Sequence, residues 1–353
     1  MRVTVVRPGD LGPSEAARWA ALQRTPPVTL SPFLSLTFAQ AVGRHRPGAR
    51  VAVVTGGGQI EAFLPFELAT RGMATAGMAM PIGYPMNNLQ GFVGSGVPID
   101  AKAVLRQAGL RGWRFRYAPA DQEALRPHAY AEAEVQCPVI DLSAGYEAYH
   151  QGLNKKVRYE ADRRRRGLER SCETVSLEWH SAQPAAALTK LIEWKSGMYG
   201  GARDLFADPA AVRIADELSS TVSEDCAGVL SVLSAGPTPI AAMLSLAEPH
   251  GLSTWFPSYD AEYRHSSPGT MLSLAVAQEA ARRGITLIDF SAGQDAYKFR
   301  LANGSYPVVG GAVWAHRAEE MGRRIYRRFA ESRSAGPRQQ SPAAKQGVSG
   351  RDG

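Results

Sequence analysis

The sequence predicts an α/β protein, with α+β character, built from two similar halves that each contain a mixed, twisted sheet flanked by helices. The chain has 353 residues, more than the roughly 250–300 residues that one hydrophobic core usually serves. Strand and helix patterns alternate along the second half, and one strand–turn–strand pattern occurs in both halves. These observations predict two domains at 1–142 and 143–316, then a basic helix at 317–330 and a disordered tail at 331–353.

The first half is predicted to begin with a strand and two helices. The second helix is placed where Ser31-Pro32, a helix-start signal, precedes apolar residues at helical spacing. A hairpin follows, because alternating apolar residues flank the turn at Gly56-Gly57-Gly58. Residues 69–100, rich in Gly, Met and Pro, predict no clear element. The predicted ranges are strand 2–6, helices 16–23 and 29–42, and strands 50–55, 59–68, 113–117 and 139–142.

The second half is predicted to begin with a long charged helix and to continue with helices and strands. Ser267-Pro268 marks one helix start, since serine is favoured at the N-cap and proline at the first helical position. The predicted ranges are helix 143–170, strand 174–180, helices 183–198 and 207–224, strands 228–234, 239–247 and 252–259, helix 268–283, strand 285–290, helix 293–301 and strand 306–314.

The hairpins of the two halves share a pattern. Apolar residues alternate at 60, 62, 64 and 66 after a glycine turn, and again at 240, 242, 244 and 246 after Gly236-Pro237. Alternation with a period of two is also common in unrelated hairpins. The pattern alone therefore leaves open both an internal duplication and two unrelated hairpins.

Composition excludes several classes of protein. No run approaches the roughly 18 apolar residues of a membrane span, and the N-terminus turns polar before the apolar region of a signal peptide forms. The three cysteines, Cys137, Cys172 and Cys226, lack CxxC spacing, which argues against a disulfide framework or a zinc site and favours a reducing compartment. Without HExxH or G-x-S-x-G motifs, we expect no metal and no serine hydrolase.

The net charge of +7 predicts either an anionic partner or a basic tail. A solvated face is one interpretation of the charge run at 155–170, and an anionic acceptor or anionic membrane surface is another. Nucleic acid is the least favoured partner, because no zinc-finger, RNP or helix-turn-helix signature accompanies the charge. The basic residues of this run are Lys155, Lys156, Arg158, Arg163, Arg164, Arg165, Arg166 and Arg170.

The segment 252–300 contains a pattern suited to binding a phosphate. A polar loop leads into the helix that begins at Ser267-Pro268, and Gly269 and Thr270 follow. The first free backbone N–H groups therefore lie beside a residue without a side chain, where a phosphate can approach the positive end of the helix dipole. Arg264 would add a charge-assisted contact. An ordinary capped helix is the alternative interpretation of these residues alone.

The same segment resembles the GNAT acetyltransferases of the CelD/BcsL type (BioF2-like, or type 6), which are associated with bacterial cellulose and exopolysaccharide synthesis. The resemblance covers about residues 145–315. It departs from the usual GNAT donor loop, where serine and proline here replace glycines, and at Gln294 and Asp295, where a more acidic pair is expected. The matching residues are Ser267-Pro268-Gly269, Asp289-Phe290, Gly293, Tyr297-Lys298, the run 153–158, Trp194, Lys195 and Tyr199.

The family is similar to the FemABX aminoacyltransferases, which join two GNAT-like domains and place the acceptor between them. The resemblance thus implies tandem GNAT-like domains, with a degenerate first half on the acceptor side and acyl-CoA in the second half. It implies Lys298 as the electrostatic stabiliser, Tyr297 as acid or packing residue, and Asp289 as base or structural anchor, with the anchor favoured. The implied acetyl-CoA contacts are Arg264, Ser266, Ser267, Gly269 and Thr270, and the implied acceptor contacts are Lys156, Arg158, Trp194 and Tyr199.

The implied activity is acyl-CoA-dependent N- or O-acyl transfer to a saccharide, a lipid-linked saccharide or a polysaccharide precursor. The expected location is the cytoplasm, including the inner face of the membrane. Two alternatives stay open: a non-catalytic acyl-CoA-binding accessory factor of polysaccharide synthesis, and a FemABX-like aminoacyltransferase.

Overall fold

A computed structural model describes residues 1–24, 31–68, 77–94, 98–172, 174–199, 204–293 and 295–316. The first half contains strands β1 (Arg2–Val6), β2 (Ala49–Gly56), β3 (Gln59–Leu68), β4 (Met78–Pro81), β5 (Val93–Gly94), β6 (Gly112–Pro119) and β7 (Ala129–Asp141), with helices α1 (Pro13–Gln23), α2 (Leu36–His45) and α3 (Ala101–Gln107). The second half contains helices α4 (Tyr146–Gly152), α5 (Lys155–Cys172), α6 (Pro184–Tyr199), α7 (Pro209–Ser219), α8 (Pro268–Arg282) and α9 (Ala296–Leu301), with strands β8 (Val175–Glu178), β9 (Ala227–Ala235), β10 (Thr238–Ala247), β11 (Gly251–Tyr259), β12 (Leu287–Asp289) and β13 (Gly304–Trp314).

The strands form one mixed sheet, and the two halves exchange their last strands within it. The order is β1-β2-β3-β4-β6-β13-β7-β12-β11-β10-β9-β8, and β5 pairs with β3. Strand β7 of the first half pairs with β12, while β13 of the second half pairs with β6. The two exchanged strands pair with each other, with Tyr306 opposite Cys137. The α/β prediction is confirmed, and the sheet runs without interruption across the predicted boundary at 142.

Counted inward from either edge, the sheet has equivalent elements. The hairpin β2–β3 on one side corresponds to β9–β10 on the other. A parallel pair follows in each half, β4–β6 and β11–β12, and the chain between its two strands contains helix α3 or α8. The hairpins that share a sequence pattern therefore occupy equivalent places in the sheet.

Helices cover the two faces of the sheet differently. On one face, α1, α2, α6 and α7 enclose a core that includes Trp19, Phe33 and Phe38, which are almost fully buried. Burying each such side chain contributes on the order of 2–3 kcal/mol. On the other face, α3 packs in the first half and α4, α5 and α8 in the second. His45 of α2 bonds Glu217 of α7 at 2.7 Å, so the halves also contact through their helices.

Two predicted helices have wrong boundaries because side-chain capping interrupts them. At 29–42, Pro32–Leu34 form a short 3-10 turn, and the helix begins only at Leu36, where Ser35 accepts a hydrogen bond from the Phe38 N–H. The helix predicted at 143–170 is α4 and α5. Leu153 is extended between them, and Asn154 Oδ1 accepts from the Lys156 N–H at 2.9 Å.

Other boundaries differ in length or were not predicted. Strand β7 begins at Ala129 rather than near 139, and the helix predicted at 207–224 is α7, which ends at Ser219. Small and charged residues alternate at the start of β7, so they carry no strong apolar signal. Strands β4 and β5 lie within 69–100, where no element was predicted. The predictions for 317–330 and 331–353 fall outside the described residues.

Candidate functional site

Helix α8 begins as predicted, but its first residues are held in an unexpected way. Ser267 is the N-cap and Pro268 the first helical residue. Ser267 has a left-handed backbone, with φ of 51°, a conformation that costs a non-glycine residue about 1–3 kcal/mol. Its side chain does not cap the helix. The hydroxyl instead accepts a hydrogen bond from the Arg164 guanidinium of α5.

One of the two predicted phosphate-binding amides is already hydrogen-bonded within the helix start. The Thr270 N–H donates to the Ser267 carbonyl oxygen at 3.0 Å, within the turn. At Gly269, an added Cβ would meet only the Tyr259 ring, at 3.7 Å. The absence of a side chain at Gly269 is therefore not required by packing and leaves open space beside the helix start.

A cavity at this helix start, the α8 cavity, is lined by residues of α5, α8 and α9. Ser266, Ser267 and Thr270, for which donor binding was predicted, line it, and Tyr297 lies on its wall. The arginines in its lining are Arg164 and Arg300, whereas Arg264 is exposed and outside it. The cavity measures only about 20 Å³, with Arg164 bonded across it. Arg164 could have been found from the sequence, since positions 157, 161, 164 and 168 share one face of α5.

Asp289 lies at the end of β12 and accepts two short hydrogen bonds. Its Oδ1 accepts from the Ser291 N–H and its Oδ2 from the Tyr306 hydroxyl, both at 2.6 Å. Burial raises the pKa of Asp289, and these two bonds oppose that shift. Both contacts tie the carboxylate to its own loop and to β13, which is the arrangement of a structural anchor.

The adjacent residues Tyr297 and Lys298 of α9 point in different directions, as the helical spacing predicts. Tyr297 packs edge-to-face against Phe290, with ring centroids 6.2 Å apart. Lys298 is largely buried, and its Nζ lies 3.7 Å from Asp295 Oδ2. Burial lowers the pKa of Lys298, while Asp295 and Asp289 raise it. The Lys298 Nζ is also only 2.9 Å from where a Cβ on Gly293 would stand, so Gly293 leaves space for it.

A second lysine, Lys195 of α6, was noted in the sequence only as part of the family pattern. Its Nζ donates to the Pro257 carbonyl oxygen of β11 at 3.0 Å. Burial lowers the pKa of Lys195 to about 8, and the nearby Lys298 lowers it as well. Two ammonium groups from α6 and α9 thus lie near one another.

The predicted acceptor residues do not form one group. Lys156 is exposed on α5, and Arg158 is half-buried with an Nε that has no hydrogen-bond partner among the described residues. Trp194 packs at the edge of the core, with Lys190 Nζ 5.9 Å above its ring. The side chain of Tyr199 lies outside the described residues.

A large cavity lies between the two halves, where the resemblance to the FemABX enzymes places the acceptor, but its lining residues were not predicted. This inter-half cavity has a volume of about 990 Å³ and borders β6, β7 and β13. Gly293 and Phe299 line it from the second half, which connects it to the Lys298 site. The first half contributes Tyr84, Arg114, Arg116 and Tyr130.

Comparison with known proteins identifies the fold of this arrangement. Residues 155–299 match the family model described as an acetyltransferase (GNAT) domain, which is less than half of the chain. No curated protein sequence matches this chain.

In the described residues, no group of His, Cys, Asp and Glu side chains could hold a metal ion, and no helix there is long and apolar enough to cross a membrane.

Solved structures resemble nearly the whole chain. FemX superposes with a TM-score of 0.57 at 12% identity, covering 92% of this chain and 100% of its own. A tandem GNAT protein from the clavulanic acid biosynthesis pathway gives 0.53 at 11% identity, covering 89% and 98%. The C-terminal domain of a protein named as a lysylphosphatidylglycerol synthetase from Agrobacterium fabrum gives 0.52 at 11% identity, covering 88% and 95%. The protein therefore has a tandem GNAT-like fold.

Proposed function

We propose that this protein is an acyl-CoA-dependent N- or O-acyltransferase that acts on a saccharide or polysaccharide precursor. The observation that carries the proposal is the divergence of Tyr297 and Lys298. Tyr297 lines the α8 cavity, and the Lys298 Nζ lies beside Gly293, which lines the inter-half cavity. One short helix thus connects a site suited to phosphate with a cavity large enough for an acceptor.

The donor pyrophosphate binds at the start of α8 in this proposal. The helix dipole and the open space beside Gly269 favour an anion there, with Ser266 and Ser267 at the same turn. The Thr270 N–H would have to exchange its bond to the Ser267 carbonyl oxygen for one to the phosphate. Arg164 exchanges the Ser267 hydroxyl for a phosphate oxygen, a stronger charge-assisted contact. Arg300 adds a second positive charge, and Arg264, which is exposed, would reach the outer phosphate.

The thioester lies where β11 and β12 separate. These strands pair in parallel over three residues, and Ser253 opposite Asp289 is the last pair. A gap opens beyond that pair. Lys298 stabilises the oxyanion that forms when the acceptor attacks the thioester carbonyl. Tyr297 packs against Phe290 on the wall of the α8 cavity, and the departing thiolate takes a proton from solvent. Asp289 holds the end of β12 in place through its bonds to Ser291 and Tyr306.

The acceptor occupies the inter-half cavity. Aromatic side chains with a few polar groups are the usual lining of sites for small molecules, and Tyr84 and Tyr130 provide such surfaces. Arg114 and Arg116 add positive charge that suits an anionic or lipid-linked saccharide. Lys156, Arg158, Trp194 and Tyr199 remain proposed contacts for the rest of the acceptor.

The biological setting in this proposal is cellulose or exopolysaccharide synthesis of the CelD/BcsL type. The protein acts in the cytoplasm, with the basic helix α5 against an anionic membrane. A FemABX-like enzyme would use aminoacyl-tRNA in place of acyl-CoA, and an accessory factor would bind acyl-CoA without turnover. The identity of the donor separates the FemABX-like enzyme from the other two, and turnover separates the acyltransferase from the accessory factor.

The test measures donor binding and then turnover. Calorimetry with acetyl-CoA should show saturable binding to the parent protein and none to Gly269→Leu, while the control Gly152→Leu binds normally. An added Cβ meets nothing within 4 Å at Gly152 and only the Tyr259 ring, at 3.7 Å, at Gly269, so we expect both variants to fold. Thiol release with a panel of amino sugars and oligosaccharides then detects transfer. Absence of acetyl-CoA binding, with charging of an acceptor from aminoacyl-tRNA, would overturn the acyl-CoA proposal.

A further inference from the structure

A second basic side chain, that of Lys195, lies beside the gap between β11 and β12. Lys195 reaches from α6 to β11, where its Nζ donates to the Pro257 carbonyl oxygen at 3.0 Å. β12 pairs with β11 only from Gly251 to Ser253, so Pro257 lies on the part of β11 that β12 does not cover. Proline has no N–H group, so this position offers only its carbonyl, and Lys195 binds it.

The charged groups around Lys195 favour loss of its proton. Burial and Lys298 lower the pKa of Lys195 to about 8, and Asp295 opposes them. Strands β9 and β10, against which α6 packs, contain no titratable side chain, and β11 contributes only Tyr259. Helix α7 carries Arg213, Asp216 and Glu217, the last of which is bonded to His45.

Lys298 differs from Lys195 in its acidic neighbours. Asp295 lies 3.7 Å from Lys298 Nζ, and Asp289 also favours the charged form of Lys298. Two adjacent ammonium groups oppose each other's charge. When the pair loses one proton, these carboxylates hold the remaining positive charge on Lys298. Lys195 then becomes the neutral amine.

We propose that Lys195 is the base that takes the proton from the acceptor nucleophile, an inference that rests on the proposed acyl transfer. The acceptor hydroxyl or amine loses its proton to the Lys195 amine as its oxygen or nitrogen forms a bond to the thioester carbon. The carbon–sulfur bond breaks, and its electron pair leaves with sulfur, which takes a proton from solvent. Lys195 then returns its own proton to solvent.

The first measurement examines Lys195 without turnover. Labelling with acetic anhydride across pH 6–11, read by peptide mass spectrometry, reports the titration of each lysine. Lys195 should become reactive with a midpoint near 8, below the ordinary lysine value of about 10.4. Lys298→Met should raise the Lys195 midpoint, because it removes the neighbouring positive charge. A Lys195 midpoint equal to that of the exposed lysines would overturn the inference.

The second measurement separates a base from a structural hydrogen bond. Lys195→Arg keeps a donor for the Pro257 carbonyl but holds its proton at every working pH. We expect Lys195→Arg and Lys195→Met to lower kcat/KM at least about a hundredfold, with acetyl-CoA affinity unchanged, whereas the control Lys190→Arg on the same helix retains activity. The parent profile should rise with pH to a plateau above about 8, and this limb should vanish in both Lys195 variants.

The outcomes distinguish the two proposals. If the parent protein neither binds acetyl-CoA nor transfers its acyl group, the proposed function fails. If the parent protein binds acetyl-CoA and transfers its acyl group, and Lys195→Arg retains the parent rate and pH profile, then Lys195 is a structural donor. That result would overturn only the assignment of Lys195 as the base.

Discussion

The hydroxyl of Tyr306 donates to Asp289 Oδ2 across an intervening strand, at 2.6 Å. Asp289 ends β12 and Tyr306 belongs to β13, and β7 from the first half lies between these strands in the sheet. Cys137 of β7 is paired with Tyr306 and buried beside the bond. The hydrogen bond therefore joins β12 to β13 across the exchanged strand β7.

Removing this bond should destabilise the protein. Tyr306→Phe leaves one buried carboxylate oxygen without its donor, and the loss of a bond to a charged group typically costs about 1–3 kcal/mol. Urea unfolding at pH 7 should show this decrease in the free energy of unfolding. Tyr159→Phe, at a position that is 63% exposed, serves as the control and should change little. Equal stability of the two variants would contradict the anchoring role of Asp289.

The pH dependence of stability should contain a contribution from Glu248. Burial raises the pKa of Glu248 to about 7, above its unfolded value near 4.5. A raised pKa contributes stability that is present below pH 4.5 and is lost as the pH rises to about 7. Glu248→Gln should therefore gain about 1–3 kcal/mol over the parent at pH 8, and no such gain at pH 4. Urea unfolding at both pH values tests this, with the exposed Glu132→Gln as control.

The donor site should depend on Arg164 more than on Arg264. Arg164 lines the α8 cavity and contacts Ser267, whereas Arg264 is exposed and outside the cavity. Arg164→Ala should weaken acetyl-CoA binding by about 1–3 kcal/mol, and Arg264→Ala should weaken it less. Calorimetry on both variants compares the acetyl-CoA affinities. It thereby shows whether Arg164, which contacts the helix start, or Arg264, which the loop sequence suggested, contributes more. Tighter binding by Arg164→Ala would mean that this side chain blocks the site.

The catalytic assignment predicts unequal effects on α9. Lys298→Ala should lower kcat at least about a hundredfold while acetyl-CoA affinity is retained, because oxyanion stabilisation acts in the transition state. Tyr297→Phe should cost less. Steady-state kinetics with calorimetry on the same preparations provide the comparison. Normal turnover by Lys298→Ala with an inactive Tyr297→Phe would reverse the two assignments.

The exposed face of α5 should mediate any contact with anionic membranes. Arg163 and Arg166 are exposed, while Arg164 is bonded to Ser267 and Arg165 is paired with Glu169 at 2.9 Å. Replacing both Arg163 and Arg166 with Glu should reduce binding to phosphatidylglycerol vesicles, and the difference should shrink with added salt. Vesicle sedimentation at 20 and 200 mM salt measures this. If the parent does not bind even at low salt, the membrane-surface proposal is withdrawn.

Local sequence signals determined much of the fold. Alternation around Gly56–Gly58 and Gly236 located both hairpins, and Ser267-Pro268 located the start of α8, because residues within a few positions of each other control turns and helix starts. The same locality explains the errors. The Ser35 and Asn154 caps decide where α2 and α5 begin, and apolar spacing alone extended both predicted helices past these residues.

Tertiary structure alone decided which distant residues meet. No local pattern indicates that β7 inserts beside β12, that Tyr306 bonds Asp289, or that Lys195 reaches the strand gap near Lys298. Such contacts depend on the order of strands in the sheet, which pairs residues as distant in sequence as Val139 and Asp289. The sequence by itself located the helix start at Ser267-Pro268 and the Tyr297-Lys298 pair. The exchange of β7 and β13 decided what surrounds them, because that exchange places strands of both halves side by side.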